Sequence, residues 1–293
     1  MMRTLLAILL LSTLGVSAAA DTPLRVEDDR GRTVSLQSPA RRIVSLAPHA
    51  TEILYTAGAG EYLVGTVSHS DYPAEAEQIP RVGSYKRVDY ERLAALQPDL
   101  VVGWHSGNGA STIERLQALG YTVYISEPKN LNDIARSVER LGTLAGTEEQ
   151  ARTAAAEFRA RHQRLRERYS RRPPLSVFYQ VWYQPLMTVN DAHLISQVIH
   201  LCGGRNVFAD AASLTPRISV EAVLARDPEV IIASGMGDER PEWLDNWARW
   251  KDLQAVRLAH LYFVPPALLQ RHSPRILEGA ERVCAHLEQA RQP

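Results

Sequence analysis

Apolar positions along this chain fall into two textures: short aliphatic runs bounded by turn residues, and stretches in which apolar residues step by three and four. The first predicts buried strands and the second predicts helices packed on one face. Residues 42–46, 62–66, 100–102 and 122–125 read as strands, and residues 51–57, 90–96, 111–119 and 131–144 as the helices that alternate with them. Ahead of them, residues 24–36 alternate and turn at Asp29-Arg30-Gly31, as a β-hairpin does. Beyond Pro174 the pattern resumes, with strands at 175–181, 230–233 and 261–264 and helices at 194–201, 219–225, 243–250 and 274–288. Such alternation predicts an α/β protein with parallel sheets covered by helices.

Between the two αβ regions lies residues 147–172, TEEQARTAAAEFRARHQRLRERYSRR. Thr147 is placed to cap a helix, with Gln150 at capping-box spacing. Glu148 and Glu149 open it and arginines close it, as the helix dipole favours. Ala151, Ala155, Phe158, His162, Leu165 and Tyr169 give a thin apolar stripe, and Pro173-Pro174 ends it. A helix of this length spans roughly 35–40 Å. It is expected to be a mostly exposed, rigid strut joining an N-terminal lobe (residues 21–146) to a C-terminal lobe (residues 173–293); a long surface helix of one domain fits the same stripe. Residues 88–102, VDYERLAALQPDLVV, recur as residues 218–232, ISVEAVLARDPEVII, without a gap. Glu91 matches Glu221, Pro98 matches Pro228 and Asp99 matches Glu229, which predicts that the two lobes repeat one topology.

Charge and cysteine content narrow the setting. Arg3, the apolar stretch 5–16 and Ala18-Ala19-Ala20 have the form of a cleavable signal peptide, residues 1–20, implying a periplasmic protein. Lys+Arg and Asp+Glu balance at 33 each, which argues against a nucleic-acid partner and against an electrostatic membrane anchor. No second apolar run is long enough to insert in a membrane. Cys202 and Cys284 are the only cysteines. In an exported chain they suggest one disulfide closing a long loop, worth ~4 kcal/mol if unstrained; two buried thiols are the alternative.

The loops past the carboxyl ends of the expected strands are where open α/β sheets bind ligands. They carry Tyr72, Tyr85, Trp104, Trp182 and Tyr183, suited to a flat, largely apolar ligand. They also carry His49, His69, His105 and His272, which lack metal-ligand spacing. There is no HExxH, GxSxG or phosphate-binding glycine loop, so no catalytic residue, metal site or catalytic cofactor is assigned and an enzyme is not expected. Glu91 and Glu221 would open equivalent helices, as a pair of exposed anions for cationic patches on a two-fold symmetric partner.

The segments DDRGRTVSLQSPARRIVSLAPHATEILYTAGAG, SHSDYPAEAEQIPRVGSY, ERLAALQPDLVVGW and RHSPRI resemble the class III periplasmic binding proteins that feed ATP-driven importers of metal chelates and cobalamin. The resemblance runs over essentially the whole mature chain. The SDYP loop, the loop of Trp104, Gly107 and Asn108, and the paired cysteines look most like the cobalamin-binding members. That resemblance implies a monomeric carrier with little lobe closure and cobalamin (vitamin B12) or a related corrinoid as transported ligand. Tyr72, Tyr85 and Trp104 would line one wall, and Met187, Thr215, Ala267, Leu268, Leu269, Gln270 and Arg271 the other; His49 and His69, in the same loops, are also expected at the ligand. It further implies that Glu91 and Glu221 engage arginines of the permease dimer of an ABC transporter and that Cys202 pairs with Cys284. Departures stand at Tyr85 and Thr215, where such members carry tryptophan, at Met187, where they carry phenylalanine, and at 267–269, where they are more polar and aromatic. The rival ligands are haem or a ferric siderophore, then zinc or manganese. Tyr85 lies six residues before Glu91, whereas the haem-ligating tyrosine of relatives lies seven before, at the place of Ser84.

Overall fold

A computed structural model describes residues 23–237 and 239–292; the expected signal peptide lies outside the described residues. The hairpin forms as read, from β1 (Leu24–Glu27) and β2 (Thr33–Leu36). The first αβ region contributes β3 (Ile43–Ser45), α1 (Pro48–Thr56), β4 (Leu63–Gly65), a small hairpin of β5 (Gly83–Ser84) and β6 (Arg87–Val88), α2 (Tyr90–Ala95), β7 (Leu100–Gly103), α3 (His105–Asn108), α4 (Ala110–Ala118), β8 (Val123–Ile125) and α5 (Leu131–Ala145). The long helix is α6 (Glu148–Tyr169). The second region contributes β9 (Leu175–Gln180), α7 (Leu194–Leu201), β10 (Gly204–Asn206), α8 (Val220–Arg226), β11 (Val230–Ala233), α9 (Gln254–Arg257), β12 (Leu261–Phe263), α10 (Pro266–Leu269) and α11 (Ile276–Ala290). Residues 243–250, expected as an α-helix, lie largely in a 3₁₀ helix, Glu242–Arg249.

Each region forms a four-stranded parallel sheet, ordered β4-β3-β7-β8 in the first lobe and β10-β9-β11-β12 in the second. Counted within its own sheet, each order is second, first, third, fourth, so the two lobes share one topology. The repeated sequence explains how. Asp89 caps α2 by accepting from the Arg92 amide, and Ser219 caps α8 by accepting from the Ala222 amide. The acid after each proline then anchors the start of the first strand: Asp99 accepts from the amides of Arg41 and Arg42, and Glu229 from the amide and hydroxyl of Ser176.

The long helix is more embedded than a strut would be. Ala151, Ala155, Phe158, Leu165 and Tyr169 are buried, and one apolar core runs from the first lobe through them into the second. α6 crosses α5 closely at Gly142, where a Cβ would sit 2.2 Å from that of Ala151. Arg159 forms a bidentate pair with Glu139 of α5, and Arg161 one with Glu281 of α11, so arginines two residues apart fasten the helix to both lobes. The expected capping box is not formed. Thr147 instead donates to the Ala57 carbonyl at 2.6 Å, and the Gln150 carboxamide covers Gly58. Both side chains are drawn to the C-terminal end of α1, where an orphan carbonyl and a glycine at φ +80° leave room and need. Cys202, at the end of α7, is bonded to Cys284 of α11, and both are fully buried.

Candidate ligand cleft between the two sheets

In the first lobe the walls are set by Asn108, a buried residue at the end of α3. Its Nδ2 donates to the carbonyls of Leu46 (3.0 Å) and Tyr85 (2.7 Å), and its Oδ1 accepts from the Trp104 amide (2.6 Å). One side chain therefore ties together the loops that follow β3, β5 and β7. Gly107 is required beneath the indole, since a Cβ there would lie 2.0 Å from the Trp104 ring. Trp104 Nε1 donates to Glu127, which also accepts from the amide and hydroxyl of Ser106. The Tyr85 ring lies 5.6 Å from the indole at 44°, giving two half-buried rings held from behind by polar groups.

The histidines have other duties. His49 is buried with its edge toward Trp104 and its Nε2 3.3 Å from the Ser126 carbonyl. Burial and the neighbouring His272 push its pKa down to about 3, against a smaller opposing effect of that carbonyl. It is a neutral packing group behind the wall. His272 Nδ1 lies 3.2 Å from the Pro128 carbonyl, and its ring meets His193 edge-on at 5.4 Å. His69 sits exposed at a turn with φ +65°. Among the described residues, no group of three or more His, Cys, Asp or Glu side chains is placed to hold a metal ion.

The second lobe offers a looser surface. Met187 pairs through its backbone with Trp182 and Arg217, and Thr215 lies on an exposed loop beside them. Tyr183 stacks on Trp243 at 5.7 Å and 11°, and Met236 stands 80% exposed nearby in sequence, after β11. Of the stretch 267–271, Leu268 and Leu269 are buried in the core against α11 and present no surface, whereas Ala267 is half-buried and Gln270 exposed.

Arg271 is where the lobes meet. Its guanidinium pairs with Asp71 at 2.5 and 3.0 Å and with Glu52 of α1 at 3.0 Å. Glu52 is buried and also accepts from Arg275 (3.0 and 2.9 Å) and from the Ser273 hydroxyl (2.5 Å). The Arg275 guanidinium lies 3.7 Å above the Tyr72 ring. Gln197 of α7 adds a bond to the Lys129 carbonyl. The carboxyl ends of β3, β4 and β8 thus face the segment after β12, and Arg271 comes to the same seam as Trp104 through the continuous stretch Glu127-Pro128 and His272. The candidate residues Tyr72, Tyr85, Trp104, His49 and Arg271 gather here, while among the described residues no side-chain hydrogen bond or aromatic contact joins Met187 or Thr215 to Tyr85 or Trp104. Glu52, Ser273, Arg275, Glu127 and Trp243 were not singled out from the sequence. Glu52 carried one signal, a lone charge in the apolar helix stretch TEILYTAG.

Glu91 and Glu221 occupy equivalent exposed positions in the first turns of α2 and α8. Hydrogen bonds from its own amide and from Ser219 hold the Glu221 carboxyl below its ordinary range. A separate cavity of about 350 Å³, lined by Asn130, His162, Arg166, Gln197 and His200 among others, borders α6 and none of the candidate cleft residues.

Twin parallel sheets fastened by one long helix, with binding loops turned toward a shared seam, define a two-lobed binding protein. The chain belongs to the periplasmic binding protein family, whose profile matches residues 43–268. It is 38% identical over 257 residues to the vitamin B12-binding protein of Vibrio campbellii, covering 87% of this chain and 92% of that one. The crystal structure of the periplasmic vitamin B12-binding protein of Vibrio cholerae superposes with a TM-score of 0.81 at 38% identity, over 87% of this chain and 99% of that chain. A periplasmic haem-binding protein from Roseiflexus sp. superposes at 0.76 with 25% identity, over 86% of this chain and all of that chain (100%). These relatives are binding proteins, for vitamin B12 in the first two and for haem in the third. No helix among the described residues is long and apolar enough to cross a membrane.

Proposed function

We propose that this protein is a periplasmic carrier that captures cobalamin between its lobes and delivers it to the permease of an ABC importer. The observation that carries the reading is the Tyr85–Trp104 wall, braced by Asn108, Gly107 and Glu127, in a chain whose curated relatives are vitamin B12-binding proteins. A corrin macrocycle is a flat apolar ring fringed with uncharged amides. Rigid aromatic faces bury such a ring at little entropic cost, and the polar groups around the seam serve the fringe. On the second lobe, Met187 and the Tyr183–Trp243 stack supply the apolar surface expected from the tryptophan that Thr215 replaces.

Glu91 and Glu221 are the proposed docking acids. Both are exposed, and a permease dimer with two-fold related arginines fits a pair contributed by repeated helices. The leader, residues 1–20, delivers the chain to the periplasm, where it works as a monomer. Calorimetric titration with cyanocobalamin, haemin and divalent metals side by side tests the ligand. Saturable one-to-one binding of cyanocobalamin in preference to the others is expected; preference for haemin or a metal would replace this reading. Glu91→Ala together with Glu221→Ala should abolish transport in a reconstituted importer and leave cyanocobalamin binding intact.

A further inference from the structure

We propose that Asp71 is a specificity-determining residue that keeps the cleft closed to anionic ligands by occupying Arg271. The inference rests on the cobalamin reading of this cleft and adds to it a rule for discrimination by charge. Arg271 is the candidate wall residue that carries a full positive charge. Its side chain is 17% exposed; Nη1 donates to buried Glu52 at 3.0 Å and to Asp71 at 2.5 Å, and Nη2 donates to Asp71 at 3.0 Å. Arg275 beside it is spent on Glu52 and on the Tyr72 ring. The ion cluster of Arg271, Arg275, Glu52 and Asp71 therefore holds two guanidiniums and two carboxylates and is balanced in charge. Asp71 is the member of this group that could be given up. Its side chain is 47% exposed, against 2% for Glu52, so it lies where a ligand's edge would reach.

A bidentate guanidinium–carboxylate pair is the geometry in which arginine recognises anions. With Asp71 in that place, a ligand carboxylate meets a neutralised arginine and an acidic neighbour, and loses water without a counter-charge. An amide-fringed ligand is not penalised, since an amide can donate to Asp71 or accept from Arg271 along their free edges. Of the other cations near the candidate loops, Lys86 over the Tyr85 ring and Arg217 beside Met187 are exposed, where water and salt screen them, and half-buried Arg81 is engaged by Thr66 and by the carbonyls of Ser70 and Ala76.

The test compares cyanocobalamin with its monocarboxylates, in which one peripheral amide is hydrolysed, so that the probes share a ring and differ by one charge. Calorimetry is run on wild type, Asp71→Asn, Arg271→Gln and the double variant, with folding checked by circular dichroism. Wild type should bind every monocarboxylate several-fold more weakly than cyanocobalamin. In Asp71→Asn at least one isomer should gain about tenfold relative to cyanocobalamin, about 1.4 kcal/mol, and that gain should vanish in the double variant, because it needs the freed arginine. Unchanged ratios for every isomer in Asp71→Asn, or a gain that survives loss of Arg271, would overturn the proposal while leaving cobalamin binding established. Failure of wild type to bind cyanocobalamin would overturn both.

Discussion

Replacing Glu52 by glutamine removes one charge and almost no volume, and it probes what holds the two lobes in register. Glu52 comes from α1, yet its acceptors serve Arg271, Ser273 and Arg275, more than two hundred residues away in sequence. The carboxylate side chain is 2% exposed and each arginine 17%. Losing one partner of a buried ion pair costs about 3–5 kcal/mol, because the other charge is left without compensation. Here the lower end applies. Arg271 keeps Asp71, Arg275 keeps the face of Tyr72, and both guanidiniums retain some water. A loss of about 3 kcal/mol lowers Tm by roughly 6–12 °C in a chain of this size. Thermal and urea denaturation followed by circular dichroism, without ligand, measure it. A drop of less than about 2 °C would mean that the cross-lobe cluster contributes specificity of arrangement and little stability. A full loss reproduced by Arg275→Gln and not increased in the double variant would show that the two residues act as one unit.

His193 caps α7 through Nδ1, which accepts from the Ile195 amide, and burial followed by the nearby His272 pushes its pKa down to about 3. As pH falls below about 6.5 the unfolded chain takes up a proton that the folded chain refuses, so stability is complete above that pH and declines toward pH 3, by about 1.4 kcal/mol per pH unit for this group. His193→Asn, which caps without titrating, should flatten the dependence of the urea midpoint on pH between about 6 and 4; an unaltered slope would remove His193 from the account. Gly107→Ala forces the indole of Trp104 off its backbone seat. It should weaken cyanocobalamin binding at least tenfold, about 1.4 kcal/mol, with a change in tryptophan fluorescence, and full retention of affinity would show that the Trp104 face is not used.

The parallel sheets were legible because their strands are aliphatic and their helices carry a separate period; Leu194–Leu201 and Val230–Ala233 were bounded as they stand. β10 (Gly204–Asn206) was not, since Gly-Arg-Asn has no strand character and joins the sheet through backbone pairing with β9. Apolar spacing in 243–250 read as α-helix, but Leu244 and Trp247 lie three apart, and both are buried as a 3₁₀ turn also permits. The misread cap of α6 has a tertiary cause, since Thr147 and Gln150 had better partners at the end of α1 than in their own helix. The lobe-one wall was visible as aromatics placed in loops with glycine, serine and asparagine. The second lobe was less legible: Leu268 and Leu269 turn inward, and the stacking partner of Tyr183, Trp243, comes from a segment read only as a helix. Glu52 had one local signal, a lone charge in an apolar helix stretch, but its partners Arg271, Ser273 and Arg275 lie more than two hundred residues away and only the fold joins them.

The symmetry of the molecule divides its residues by task. Strand order, the strand-anchoring acids Asp99 and Glu229, and the exposed acids Glu91 and Glu221 repeat between the lobes. The seam does not repeat: the first lobe supplies Glu52, Asp71 and the Tyr85–Trp104 pair, and the second supplies Arg271 and Arg275. A strict duplicate would place like charge against like across the cleft, which repels, so lobes that are to be held together by ions must diverge there. A partner with two-fold symmetry, by contrast, is matched only by what stays the same in both halves. Exposed residues that kept their repeat, Glu91 and Glu221, are therefore suited to the proposed permease, and exposed residues that lost it are suited to the ligand. Asp71 belongs to the second group, which is why neutralising it by Asp71→Asn should alter what is bound and leave the docking of the carrier untouched.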